Sequence, residues 1–220
     1  RKAFEVQKAM YLGGLLTTQE ELMRIVNFYN RFNAPYHAAR VLEKEMNAGR
    51  ITRNLERLEL LANLYQVALE HEKAIPGAMY ERLGRSYADL QKWKEAEDAL
   101  NKAISMGGIK DRGNAYVLIG QSRYERSDRT GARESFKTAG NSAGRSWLDF
   151  MNSEENTKRA LVCFEVQSAW LNVENEAKIC KRLAVLGEEN LPENCKTIKE
   201  RLDAAEAKYN ATPECKGQGT

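Results

Sequence analysis

The sequence predicts an all-α fold of repeated helical pairs, and three observations carry that prediction. Apolar residues recur at helical spacing: Leu22, Ile25, Val26 and Tyr29 stand at i, i+3, i+4 and i+7, as do Leu58, Leu61, Ala62 and Tyr65, and Tyr80, Leu83, Gly84 and Tyr87. Strand-like alternation is absent, and so are the Asn-Gly and Asp-Gly turns of β-hairpins. The breaks between apolar runs, such as Asn33-Ala34-Pro35, Met106-Gly107-Gly108 and Asn190-Leu191-Pro192, are short and suit helix ends.

Each element follows in order. Val6 and Ala9 read as the tail of a repeat already under way. Position 1 is Arg, so the chain is expected to be a piece of a longer protein, with any leader or anchor upstream. The segment from Gln19 supplies Leu22, Ile25 and Tyr29 on one helix, then Ala38 and Leu42 on the next. The segment from Gly77 supplies Tyr80, Leu83, Gly84 and Tyr87, then Ala96, Leu100 and Ala103. The segment from Gly113 supplies Tyr116, Ile119 and Gly120, then Ala132, Phe136 and Ala139, with Arg123 where the pattern asks for Tyr. Aligned on their compact third member, Val26, Ala62, Gly84 and Gly120 lie 36, 22 and 36 residues apart. Gly84 and Ala96 mark close helix crossings, and Tyr80, Leu83 and Leu100 fill the space between pairs.

The 22-residue step is anomalous. Lys73-Ala74-Ile75-Pro76 runs straight into Gly77, which leaves no room for a second helix after the one beginning at Leu55. Without that helix the apolar face of the first would be uncovered, at about 25 cal/mol per Å². A segment is therefore expected to be missing between Pro76 and Gly77. The alternative is a divergent hairpin with a proline break.

After Ala139 the repeat pattern fades. Arg145 to Met151, with Trp147, Leu148 and Phe150, reads as a closing helix. Ala160, Phe164, Gln167, Trp170 and Val173 fall on a second, Glu176 to Leu186 on a third stopped by Gly187, and Pro192 opens a fourth running to about Tyr209. The expected organisation is repeats over 1–151, a helical cap over 152–210 and a flexible tail over 211–220.

The composition is that of an ordinary globular chain: 220 residues, 42% hydrophobic and 30% charged, with only four Pro. The net charge of +3 is too small to point to nucleic acid. No run approaches the ~18 apolar residues of a membrane span. Gly107-Gly108 lacks the Gly-Lys-Ser/Thr ending of a phosphate loop, and no Gly-x-Ser-x-Gly occurs. His37 and His71 belong to different helical units, and the pairs Glu154-Glu155 and Glu188-Glu189 diverge on a helix or lie in loops. These patterns predict neither an enzyme nor a cofactor or metal site. Arg112, Arg123, Arg126, Arg129, Arg133, Lys137 and Arg145 are interleaved with Asp111, Glu125, Asp128 and Glu134. They read as a solvated face, or as a docking patch for an acidic partner.

All four cysteines, Cys163, Cys180, Cys195 and Cys215, fall in the last 58 residues, and none has C-x-x-C spacing. Their even number suits a disulfide-permitting compartment, and a cytoplasmic protein with four thiols is the alternative. Three pairings are open. A Cys180–Cys195 bond would join antiparallel neighbours across a short loop, although the two are offset by roughly 6 Å along their helices. Cys215 could take either partner instead.

The large apolar, Leu, Gly and Tyr of the first helix, with Ala, Leu and Ala on the second, resemble the tetratricopeptide repeat (TPR). That resemblance implies a right-handed α-solenoid of helical hairpins whose first helices line a concave groove. Carried over residue by residue, the ninth repeat position holds Asn27, Asn63, Arg85 and Gln121, and the fifth holds Met23, Glu59, Glu81 and Val117. Asn27, Asn63, Arg85 and Gln121 would hydrogen-bond the backbone of an extended peptide. No Lys occupies the fifth position, which argues against clamping of a C-terminal carboxylate. Glu59 and Glu81, with Glu20, Glu56, Asp89 and Glu125, would favour a neutral or basic peptide.

Over residues 10–151 the runs Ala39-Arg40-Val41-Leu42-Glu43-Lys44, Leu58-Glu59-Leu60-Leu61-Ala62-Asn63, Tyr80-Glu81-Arg82-Leu83-Gly84, Asn101-Lys102-Ala103-Ile104 and Gly107-Gly108-Ile109-Lys110 are similar to bacterial TPR proteins encoded beside TonB-type components. The similarity implies a periplasmic, non-catalytic scaffold that binds a partner, possible TonB-system components among them, in support of uptake of iron complexes. The rival readings are an interaction domain of a larger envelope enzyme or assembly machine whose catalytic part precedes residue 1, and a cytoplasmic regulator.

Overall fold

The computed structural model describes residues 2–71, 76–185 and 191–216, and every regular element among them is helical. In chain order these are α1 Lys2–Leu12, α2 Gln19–Arg31, α3 Pro35–Asn47, α4 Leu55–His71, α5 Pro76–Asp89 and α6 Trp93–Met106. They continue with α7 Arg112–Glu125, α8 Arg129–Ala139, α9 Ser142–Ala184, α10 Glu193–Lys196, α11 Ile198–Ala211 and a 3-10 turn, Pro213–Cys215. Two compact units result, Arg1–Leu148 and Asp149–Thr220, divided three residues before the expected boundary.

In the first unit, helices adjacent in sequence are adjacent in space. Their starts are written in the sequence. Thr18 accepts the Glu21 backbone N–H while the Glu21 carboxylate reaches back to the Thr18 N–H, a reciprocal cap on α2. Asp111 and Asp128 accept the N–H of Asn114 and Gly131 and cap α7 and α8. Pro35 supplies the first residue of α3.

Three hairpins, α2–α3, α5–α6 and α7–α8, share one turn. Each contains a non-glycine residue in the left-handed region: Asn33 at φ 54°, Gln91 at φ 57° and Ser127 at φ 66°. In each, that residue and the next donate back to the last turn of the first helix, as Asn33 does to Asn30, Gln91 to Ala88 and Ser127 to Tyr124. The position one 36-residue step after Asn33 is Leu69, and there α4 does not turn but runs on to His71. Residues 72–75 lie outside the description, and Pro76 and Gly77 are consecutive members of α5. The apolar face of α4 is nonetheless covered: Leu61, Ala62, Leu64, Tyr65 and Ala68 are buried, with α3 and α5 as neighbours. The expected exposure of that face does not occur in this arrangement.

The small residues sit where the pattern needs them. A Cβ on Gly84 would stand 2.6 Å from the Leu100 Cγ, and one on Gly120 would stand 2.5 Å from the Phe136 ring. Ala96, Leu100, Ala103, Ala132 and Phe136 are buried beside them. Arg123, at the position that departs from Tyr, is half-buried. Its Nε pairs with Glu97 of α6 at 2.7 Å, and its Nη1 reaches the Gly131 carbonyl and the Ser135 hydroxyl of α8. The guanidinium thus joins α7 to both α6 and α8. In α1 the register differs from expectation. Val6 and Ala9 face outward, while Phe4, Met10 and Tyr11 pack on the core.

The three helices expected between Arg145 and Leu186 are one, α9, within its described span to Ala184. The physical reason is plain: no Gly or Pro occurs from Arg145 to that end, so nothing stops the helix. The stop expected at Gly187 lies outside the described residues. The fourth expected helix is instead two, α10 and α11, broken at Thr197.

In the second unit α9 runs antiparallel to α10 and α11. Four contacts mark the register: Cys180–Cys195, Glu176 with Arg201 at 2.8 Å, Trp170 stacked on Tyr209 at 5.2 Å, and Cys163–Cys215. The two cystines hold their Cα atoms 5.4 and 5.0 Å apart. The break at Thr197 puts Cys195 on its own single turn, which removes the axial offset that a continuous helix would impose. The tail that was expected to be free from 211 is tied at Cys215 to α9.

Candidate functional site

α3 presents Arg40, Glu43, Lys44 and Asn47 on its polar side at i, i+3, i+4 and i+7. They line a hollow of about 630 Å³ with Tyr11 of α1, Tyr29 of α2 and Arg82 and Arg85 of α5. Glu43, Asn47 and Arg85 also line a neighbouring hollow of about 260 Å³ that takes in Arg53, Asp89 and Leu118. The two hollows adjoin at these shared residues and together form the depression beside α3. Its charged lining is Arg40, Lys44, Arg53, Arg82 and Arg85 against Glu43 and Asp89.

Glu43 is the hub. It accepts from the hydroxyl of fully buried Tyr65 at 2.9 Å, from Arg40 at 3.3 Å and from Arg82. Burial, reinforced by Glu43, pushes the Tyr65 hydroxyl above its ordinary pKa. Burial also works to discharge Arg82, but the Tyr65 and Glu43 oxygens outweigh it and raise the Arg82 pKa. A second hub lies beneath. Glu45, with no exposed surface, receives the Tyr11 hydroxyl at 2.7 Å and Arg50 at 2.5 Å. Burial and then Glu45 raise the Tyr11 hydroxyl. These part-buried hydrogen bonds tie α1, α3, α4 and α5 to one another.

At the rim, Lys44 lies over the Tyr11 ring at 5.4 Å and His37 stacks on Tyr29 at 5.6 Å. Arg53 pairs with Asp89, whose carboxyl is raised because burial outweighs that pairing. Arg40, Lys44, Arg53 and Arg85 are all exposed; Arg40, Arg53 and Arg85 are paired with Glu43, Asp89 and Glu81 respectively.

Of the residues expected to line a groove, Arg85 and Asp89 stand in this depression. Glu81 is one turn away and pairs with Arg85 at 2.8 Å. Asn27 on α2, Asn63 and Glu59 on α4, and Gln121 on α7 lie outside it; the first three are exposed and Gln121 is half-buried. The late basic cluster is largely engaged. Arg126 joins Arg123 on Glu97 at 2.6 Å, Arg129 lies over Tyr124 at 4.3 Å, and Arg145 donates to the Gly140 carbonyl. Sequence reasoning passed over Arg40, Glu43, Lys44 and Arg82. The available signal was the polar set on α3, spaced along one face of a helix whose other face is apolar. His71 was also singled out, but its side chain lies outside the description. No metal-ligating cluster occurs among the described residues.

The arrangement defines a class: a chain all-helical among the described residues, with a basic, aromatic-rimmed depression in the first unit and two cystines in the helical hairpin of the second. No protein-family model matches the chain, and no curated protein matches it. No described helix is long and apolar enough to cross a membrane.

Proposed function

We propose that the chain is a non-catalytic, TPR-like solenoid scaffold that binds an extended, acidic segment of a partner protein. The observation that carries this reading is the depression beside α3, where five cations stand with Glu43, Asp89 and, on Arg85, Glu81, an excess of two positive charges. A segment with two or three Asp or Glu residues would balance that excess, and Asn47 and the Tyr rims would contact its backbone and side chains. The repeat assignment draws support from the three equivalent hairpin turns and from Gly84 and Gly120 at equivalent helix crossings.

The narrower reading is a periplasmic partner in TonB-dependent uptake. It rests on the similarity of residues 10–151 to TPR proteins of such systems. Two cystine pairs agree with a compartment that permits disulfides.

The test uses the oxidised chain and an Asp/Glu-rich peptide with a Lys/Arg-rich control. Arg82→Glu together with Arg85→Glu should weaken acidic-peptide binding at least ~10-fold at low salt, with added salt weakening the parent in the same sense. Unchanged binding by that variant, alongside loss on Asn63→Ala with Gln121→Ala, would move the site to the first-helix face and overturn the acidic-ligand reading.

A further inference from the structure

We infer that the hollow framed by α4, α5 and α6 is a second recognition site, which takes an arginine side chain carried on a segment of a partner protein. It is independent of the depression beside α3. On α5, Tyr80, Leu83 and Tyr87 line this hollow, while Arg82, Arg85 and Asp89 line the depression. At 3.6 residues per turn the two sets are centred roughly 160° apart, on opposite sides of the helix.

The hollow measures about 360 Å³. That is the small end of ligand pockets, room for one long side chain and not for a helix. Leu69 of α4, Leu83 of α5 and Ala99 of α6 give it an apolar lining, and Leu83 and Ala99 are buried. Its charged groups are three carboxylates, Glu70, Glu95 and Asp98, against one ammonium, Lys102. All three carboxylates are exposed, and no cation among the described residues pairs with any of them. Glu43, Asp89 and Glu97, in contrast, are each paired with arginine.

The two tyrosines narrow the choice of occupant. The Lys102 ammonium lies 5.3 Å from the centre of the Tyr80 ring, so one wall already holds a cation on an aromatic face. Tyr87 offers a second ring, over which no cation of the described chain lies, close to the Glu95 charge: burial, and then Glu95, raise its hydroxyl above the ordinary pKa. Exposed carboxylates by themselves hold any cation weakly. Together, the three kinds of group match arginine. The apolar lining takes its methylene stem, the Tyr87 ring takes its flat guanidinium, and Glu95 and Asp98 take its N–H fork. A metal ion or a small hydrated cation would use the carboxylates and leave the rest uncovered. The wall of α4 points to a peptide as the carrier. The Tyr87 hydroxyl donates to Gln66 Oε1 at 3.3 Å, which leaves the Gln66 amide N–H groups to donate to a backbone carbonyl beside the arginine.

The probe is an acetylated and amidated Ala-Ala-Arg-Ala-Ala peptide, titrated into the oxidised chain and followed by the tyrosine ring signals in NMR spectra. Two references accompany it: the same peptide with citrulline, which keeps the shape and removes the charge, and arginine amide alone. The arginine peptide should bind saturably and shift the Tyr87 ring. The citrulline peptide should bind at least ~10-fold more weakly, and arginine amide several-fold more weakly. Glu95→Gln with Asp98→Asn should weaken the arginine peptide at least ~10-fold, and Tyr87→Leu, which keeps the apolar volume, several-fold. Arg82→Glu with Arg85→Glu, on the other side of α5, should not weaken it. Equal binding of the arginine and citrulline peptides overturns the proposal. So does no saturation at millimolar peptide, or parental affinity in the Glu95→Gln, Asp98→Asn variant with its helicity intact. Arginine amide as tight as the peptide overturns the partner segment as the source, and loss of binding in the Arg82→Glu, Arg85→Glu variant overturns the location.

Discussion

Gly84 and Asp89 stand five residues apart on α5 and illustrate two kinds of constraint. Gly84 is steric. With Leu100 where a Cβ would go, Gly84→Leu must push α5 and α6 apart, and we expect a loss of about 1–3 kcal/mol, read as a lower midpoint in urea. A midpoint equal to the parent's would mean that α5 and α6 do not cross there. Asp89 is electrostatic. Its folded pKa is raised, by burial more than Arg53 lowers it. A carboxyl raised on folding binds its proton more tightly in the folded state, so its contribution is most favourable below the unfolded pKa and is lost as pH rises through the folded value. Asp89→Asn does not titrate. Its stability relative to the parent should therefore improve between pH 3 and pH 6. A difference that stays flat or runs the other way would show that the Arg53 pairing dominates. Gly84 was legible because glycine in a helical pattern has few other uses. Asp89 was not, because its partner Arg53 lies in the loop before α4, and no local pattern joins the two.

Among the elements, the repeated pairs were legible and the exceptions were not. Apolar residues at i, i+3, i+4 and i+7 mark a buried helical face, so α2, α5 and α7 could be read directly. Their shared turn could not, because Asn33, Gln91 and Ser127 have only a left-handed backbone in common, without the glycine that would advertise it. The single span of α9 was missed for a related reason. Polar clusters such as Asn152-Ser153 look like breaks, yet none carries Gly or Pro. The second unit has few buried residues: among those described, only Met151, Cys163, Cys180 and Cys195. Closing loops of 15 and 52 residues contributes about 3 and 4 kcal/mol respectively in the chain-entropy model. Reduction should accordingly abolish amide protection in 149–216 and leave that of 19–139 within a factor of a few. Hydrogen exchange read by mass spectrometry, with and without a phosphine reductant, decides this. Retained protection in α11 would require a packing core that the burial pattern lacks.

Taken whole, the molecule raises the question of its own continuity. The steps of 36, 22 and 36 residues argue for a further helix between Pro76 and Gly77, whereas α4 and α5 as described cover each other without one. Trypsin resolves the matter on protein from its native source. If the chain is continuous, cleavage after Lys73 and Arg82 releases Ala74-Ile75-Pro76-Gly77-Ala78-Met79-Tyr80-Glu81-Arg82 as one peptide. We expect that peptide to be absent and Pro76 to be followed by new residues, about 14 before Gly77. Its recovery in full yield would show that α4 has no second helix of its own repeat and is covered by α3 and α5 alone. The depression beside α3 was the least legible part of the molecule. It is assembled from six helices, α1 to α5 and α7, and the loop before α4, whose polar residues are unremarkable singly and converge only once the chain is folded.

The nested cystines also have a mechanical meaning. Cys215 joins the end of the described chain to Cys163, about four turns past the beginning of the second unit. Tension applied beyond residue 216 therefore passes through the sulfur bridge directly into α9. The 52-residue loop, with the Cys180–Cys195 ring inside it, hangs off the load path as slack that cannot be drawn out. Pulled from its two ends in an optical trap, the oxidised protein should extend by roughly 170–190 Å less than the reduced one, the contour of that loop. A tether anchored at this end is thus short and stiff in an oxidising compartment, and long and compliant once its thiols are free.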